Sequence, residues 1–174
     1  MNKKKQWFWT ILIIIYVGFI FQNSLTPAAE SSRQSGRVLA IILSVFRTIG
    51  LNGDMVTEHL VRKMAHFTEF SLFGLLLWNC LRVRMLPRKL WIVMHLWLAM
   101  MVPLMDETFQ LFTEGRSGQI SDVWLDISGV MFGSFCMICA WYLCKKLKKK
   151  RAGGNIKRSA VLQTRRNGKA ERRD

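Results

Sequence analysis

Four apolar runs, Trp7–Phe21, Met64–Leu81, Leu90–Met105 and Val123–Leu143, dominate this sequence, and compact charged patches separate them. Runs of this kind cannot stay in water, and in hydrocarbon a segment must satisfy its own backbone hydrogen bonds, which a helix does. The expected fold is therefore all-α: an integral membrane protein with four transmembrane helices, at about 7–22, 64–81, 90–106 and 123–144. A short interfacial helix lies between the first two. Half of the 174 residues are apolar (51%), yet the formal net charge is +15. A basic soluble nucleic-acid binder would share the charge but not the apolar runs, so no nucleic-acid partner is expected. The partner that the composition demands is the lipid bilayer.

The chain opens on a basic head (1–6) with Lys3, Lys4 and Lys5. The first run covers only about 23 Å against a hydrocarbon core of about 30 Å. Trp7, Phe8 and Trp9 at its start resemble an interfacial aromatic belt, so a retained anchor is expected in preference to a cleaved signal peptide. A polar stretch from Asn23 to Gly36 follows. Val38–Ile49 then reads as an amphipathic helix too short to span, lying at the membrane surface. Asn52-Gly53-Asp54 marks a turn and helix start. Pro103 is expected to disturb the third span one turn before Asp106. Residues 7–145 make one membrane domain, and 146–174 a basic tail expected to be disordered in the cytoplasm. Cys136 and Cys139 have C-x-x-C spacing, but on one membrane helix they read as stacked small apolar residues.

Charge sets the orientation. With the amino terminus inside, inner segments carry 20 of the 26 Lys and Arg residues, and outer segments carry Arg33, Arg37, Arg47, Arg62, Lys63 and Arg116. Nine of the 11 acidic residues fall on the outer side. A multi-pass protein of the cytoplasmic membrane with both termini cytoplasmic is expected.

Ionisable residues at membrane depth make a functional site the default hypothesis. Lys63, His66 and Glu69 share one slanting helix face at spacings of three. Asp106, Glu107 and Gln110 close the third span, where negative charge is unfavourable without a compensating cation such as Lys63, Arg116 or a bound ion. Glu114-Gly115-Arg116-Ser117-Gly118 is a turn whose arginine suits either a bidentate clamp on a phosphate or carboxylate, or a counter-ion role. Ser121 reads as the cap of the fourth span. Asp122, Asp126, Gly129 and Gly133 lie on one face, the glycines allowing close approach of another helix. The acidic residues with His66 suit a hard divalent cation such as magnesium or calcium, or a general acid–base set. No P-loop, G-x-G-x-x-G, H-E-x-x-H or G-x-S-x-G motif is present, so no catalytic residue or cofactor is identified.

In the order K-x-x-H, D-E-x-x-Q-x-F, G-R and D-x-x-x-[ND]-x-x-G, these residues resemble the VanZ-like family over roughly residues 8–145. The matching positions are Lys63, His66, Asp106, Glu107, Gln110, Phe112, Gly115, Arg116, Asp122, Asp126 and Gly129, with Glu69 and the serines around Ser24, Ser31, Ser32 and Ser35 also similar. The founding member of that family is associated with low-level teicoplanin resistance that does not replace the D-Ala-D-Ala target. The resemblance implies a small helical bacterial membrane protein affecting glycopeptide susceptibility or envelope lipid handling. Lys63 and Arg116 would then contact an anionic lipid headgroup or cell-wall precursor. The alternatives are a membrane hydrolase or transferase using His66 and nearby carboxylates, and a structural or regulatory membrane subunit.

Overall fold

In a computed structural model the backbone is described for residues 3–170 and the side chains for residues 3–149. Five helices follow one another: α1 (Lys3–Ser24), α2 (Ala28–Thr48), α3 (Glu58–Arg82), α4 (Arg88–Leu111) and α5 (Ile120–Ala170), with no strand among the described residues. Residues 1–137 form one compact unit and 138–174 another. The tail expected to be disordered falls almost wholly outside the described side chains. Over the described residues α5 continues through Lys145–Lys149. Lysine is a good helix former, so the charges close the apolar segment without ending the helix.

Three helices are long and apolar enough to cross a membrane: Lys3–Ser24, Arg88–Leu111 and Ile120–Lys149. Their large apolar side chains point outward, among them Trp7, Ile15, Val93, Trp97 and Phe135. The protein is thus a multi-pass membrane protein. α3 is long enough, at 25 residues, but too polar to join this set. The reason is its place in the fold. It packs against α1, α2 and α4, and it buries Phe70, Phe73, Gly74, Leu77, Trp78 and Leu81. A helix enclosed by other helices has little lipid to satisfy, so hydropathy under-reports it.

The core joins Ile20 of α1, Phe70, Phe73, Leu77 and Leu81 of α3, Ala99 and Val102 of α4, and Val130 of α5. Between lipid-soluble helices, burial offers little driving force, so close packing has to hold them. Gly74 of α3 faces the backbone of Val130, and Gly133 of α5 faces the backbone of Ser71. Pro103 sits buried inside α4, which runs on through it.

α3 and α1 run antiparallel. Gln6 Nε2 donates to Val83 O at 3.1 Å near one end, and Tyr16 Oη donates to Glu69 O at 3.0 Å further along. Arg84 Nη2 donates to Thr10 Oγ1 at 2.7 Å and ties the α3–α4 turn to α1. α3 extends beyond the end of α1, and α2 packs on it.

The short surface helix expected over Val38–Ile49 is in fact 21 residues long, from Ala28 to Thr48. Pro27 precedes its first turn, where a fixed φ suits helix initiation, and the serines that read as loop are tolerated in its first turns. α2 buries none of its residues. Val38, Ile42 and Phe46 line a cavity, and Val38 is exposed along with Ile41 and Val45.

The turn read at Asn52–Asp54 forms, with Asp54 N donating to Asn52 Oδ1 at 3.2 Å. α3 starts four residues later, where Thr57 Oγ1 accepts from Leu60 N at 3.2 Å. Thr57→Ala removes this cap and should cost about 1 kcal/mol of stability. Thermal unfolding in detergent micelles checks it, and unchanged melting would show that α3 does not depend on the cap.

Candidate functional site

The polar residues of α3, α4 and α5 meet the end of α1 and the α4–α5 loop in residues 1–137. Their arrangement starts from α4, whose last turns carry Asp106, Glu107 and Gln110. α4 ends at Leu111, so these residues lie near its end, but burial keeps them from solvent. Asp106 is 1% exposed and Glu107 4% exposed.

Gln110 Nε2 donates to Asp106 Oδ2 at 3.0 Å and to Glu107 Oε1 at 3.3 Å. Ser24 Oγ donates to Asp106 Oδ1. Gln119 N donates to Glu107 Oε2 at 3.0 Å, so Glu107 holds the entry to α5. Around the same point the loop is closed onto α1 and α2. Thr113 Oγ1 donates to Ser24 O at 3.0 Å, Ala28 N to Glu114 O at 3.1 Å, and Arg116 Nη2 to Asn23 O at 3.4 Å. Gly115 allows the turn with φ of 71°, a conformation that other residues rarely adopt.

From α3, Lys63 Nζ lies 3.0 Å from Asp122 Oδ1, which settles the partner of both residues. His66 Nδ1 stands 3.7 Å from Asp126 Oδ1, and Asp126 is fully buried. Asn23 Nδ2 donates to Glu69 Oε1 at 2.9 Å. α5 begins at Ile120, so Ser121 lies inside its first turn and is not the cap. Its hydroxyl lies 3.3 Å from Gln119 Oε1 and 3.2 Å from Asp122 Oδ1. Gly129 and Gly133 face the backbone carbonyls of Phe67 and Ser71, which brings the Asp126 face of α5 against the His66 face of α3.

All nine residues of the expected seam thus gather around the ends of α1 and α4 and the start of α5. They divide into a centre of half-buried His66 with buried Asp106 and Asp126, two flanking pairs (Lys63 with Asp122, Glu69 with Asn23), a structural tie (Glu107 with Gln110 and Gln119), and Arg116 on the loop beside Asn23. Sequence reading missed Asn23 and Ser24 as side-chain partners, and Thr113 and Gln119 altogether. Short polar residues after a span look like ordinary turn chemistry. The available signal was that Asn23-Ser24 follows the apolar run with only Gln22 between. Ser134 and His95 form a separate buried contact, with Ser134 Oγ 3.1 Å from both Gly74 O and His95 Nε2. The four cysteines are free.

Two cavities adjoin the seam. The larger, about 950 Å³, has apolar walls from Phe19, Val38, Ile42, Phe46, Leu60 and Leu72, and a polar end with Asn23, Gln34, Arg62, His66, Glu69 and Arg116. The smaller, about 180 Å³, is polar and includes His59, Arg62, Lys63, His66, Arg116 and Ser117. Arg62, His66 and Arg116 border both. Partial burial of the Arg116 guanidinium strips water from it and pushes its pKa below the usual value, with Asp106 acting in the opposite sense. A desolvated cation facing a cavity favours an anionic ligand.

No curated protein and no solved structure matches this chain. A family model described as VanZ/LLP1 matches residues 8–143, which takes in every helix of the site. The chain belongs to the VanZ family.

Proposed function

We propose that this VanZ-family protein binds an envelope amphiphile with an anionic headgroup, an anionic lipid or a lipid-linked cell-wall precursor, and thereby affects teicoplanin susceptibility in a bacterial cytoplasmic membrane. The observation that carries this reading is the cavity of about 950 Å³. Its apolar walls suit an acyl or polyprenyl chain, and its polar end offers cationic Arg62 and Arg116 to a phosphate. This is the usual anatomy of a ligand site, an apolar enclosure with a few convergent polar groups. The anion contacts therefore shift from Lys63 and Arg116 to Arg62 and Arg116, since Lys63 is engaged by Asp122.

In this reading α3 is a fourth span. It is tied to α1 by Gln6 with Val83 and by Asn23 with Glu69, contacts separated along most of α1. The excess of Lys and Arg in the head, the α3–α4 turn and the tail supports cytoplasmic termini, so the site faces the outer leaflet.

The test is lipid capture by the purified full-length chain. Wild type should retain an anionic lipid through detergent exchange, and Arg62→Ala or Arg116→Ala should each weaken binding about tenfold, the worth of one charge-assisted hydrogen bond. Val38→Trp should weaken uptake by narrowing the apolar part of the cavity. Equal retention of anionic and zwitterionic lipids by wild type and both arginine variants would sink the proposal.

A second reading, a hydrolase or transferase acting on the same amphiphile, is favoured by one observation: His66 borders both cavities and faces Asp126. His66→Ala separates the two, since it should abolish turnover and only weaken binding.

A further inference from the structure

Asp126 is fully buried, and neither of its carboxylate oxygens has a hydrogen-bond partner among the described residues. A buried carboxylate in that condition is costly, and buried charges are normally paired or bound to metal. His66 Nδ1 also lacks a hydrogen-bond partner, and its distance of 3.7 Å from Asp126 Oδ1 is too long for one. Asp106 completes the group. One ligand-capable atom from each of His66, Asp106 and Asp126 lies within 4.8 Å of the other two.

Two carboxylates this close repel each other, and Arg116 acts on Asp106 only through charge at a distance, without an ion pair. Lys63 pairs with Asp122, and Arg116 reaches Asn23 O. Among the described residues no lysine or arginine forms an ion pair with Asp106 or Asp126. What the three side chains lack is a positive centre between them.

We propose that His66, Asp106 and Asp126 hold one divalent first-row transition metal of the zinc class. Magnesium and calcium, the hard cations that the acidic composition suggests, want six or more oxygen ligands, mostly carboxylate, carbonyl or water. One imidazole with two carboxylates instead fits zinc, which takes nitrogen and oxygen donors at about 2.0–2.2 Å. Three protein ligands leave one tetrahedral position free, and His66 borders the larger cavity. The ligands come from α3, α4 and α5, one from each, so a bound ion would pin three helices at one point.

Asp106 is already oriented for this role. Ser24 Oγ donates to its Oδ1 and Gln110 Nε2 to its Oδ2, while each oxygen keeps a second lone pair. Such outer contacts hold a ligand in position and are worth roughly 10–100-fold in metal affinity. The site stands on these contacts whatever fills the cavity.

The experiment uses the full-length chain in detergent, stripped with chelator and then titrated with zinc chloride or magnesium chloride. Bound metal is counted by mass spectrometry after desalting, and thermal unfolding is followed in parallel. Wild type should take one zinc ion per chain in preference to magnesium and melt at a higher temperature with it. His66→Gln and Asp126→Asn should each lose at least about tenfold in zinc affinity, and Ser24→Ala about tenfold through Asp106. Asp122→Asn, outside the trio, should bind zinc as wild type does. If Asp126→Asn does not accumulate, His66→Gln and Ser24→Ala decide. A wild-type chain that takes no zinc, one that prefers magnesium, or trio variants that keep wild-type zinc affinity would each overturn the site.

Discussion

Gly133→Ala should break the packing of α5 on α3. A Cβ at this position would lie 1.8 Å from Ser71 O, a backbone atom in the middle of a helix that cannot swing aside as a side chain would. Gly74→Ala makes the reciprocal clash, 2.0 Å from Val130 O. Overpacking a core by a methyl group ordinarily costs about 1–3 kcal/mol, and here relief requires one helix to move away from the other. We expect a loss of about 3 kcal/mol or more for each variant, and the paired variant to cost less than the sum, since one helix displacement relieves both. Separation of α3 from α5 would also part His66 from Asp126, so these variants should lose the site with the fold. Gly18→Ala is the control. Nothing lies within 4 Å of its would-be Cβ, and alanine in a helix should be neutral or stabilising by up to about 1 kcal/mol. Thermal unfolding of the detergent-solubilised chain decides the matter. Equal melting of Gly133→Ala and Gly18→Ala would show that the glycine contact does not hold the helices together.

Expression of the intact chain in a teicoplanin-sensitive bacterium should raise the inhibitory concentration, and Arg116→Ala should return it to that of cells carrying an empty vector. Arg116 borders both cavities and loses water there, so its removal takes away charge at the point where a headgroup would dock. Its hydrogen bond to Asn23 O is long, at 3.4 Å, so its loss should disturb the fold little. Membrane levels of each variant are measured alongside susceptibility. Lys63→Ala is the informative comparison. Lys63 is engaged by Asp122, so its removal should leave most of the protection in place. Protection that survives Arg116→Ala at normal expression would remove the arginine from the mechanism. Wild type that gives no protection would detach this member of the family from teicoplanin altogether.

The membrane helices α1, α4 and α5 were legible because lipid imposes a length and a composition on any segment that crosses it. α3 was legible as an apolar run, yet its enclosed position was not, since a helix facing other helices obeys packing and not hydropathy. α2 was underestimated by ten residues at its start. Thr26-Pro27 and the serines after it have turn chemistry, yet Ser31 N already donates to Pro27 O in the first helical turn, and Ala28 N beside it is held by Glu114 O of the α4–α5 loop.

Within the site, helical spacing placed His66 with Lys63 and Glu69, and Asp122 with Asp126, because spacings of three and four are built into a helix. It did not say which helix face meets which. Lys63 and Arg116 were both candidate cations for the acids that close α4, and packing gives Lys63 to Asp122 of α5. Ser24 and Asp106 stand 82 positions apart in the chain and share a hydrogen bond. Glu107 looked like one more carboxylate of the seam, and its bond from Gln119 N makes it a fastener of the α4–α5 loop.

The sequence by itself determined that this is a helical membrane protein of the VanZ kind, and which ionisable residues share a stripe of α3 and of α5. The solvent does that work, since lipid rejects charge wherever it occurs and local spacing sets each helix stripe. Tertiary structure alone decided the grouping of His66 with Asp106 and Asp126 and the open cavity beside them. Those depend on how each helix is rotated about its own axis and how closely the backbones approach. Where α3 meets α5, Gly74, Gly129 and Gly133 set both, by letting each helix backbone approach the other.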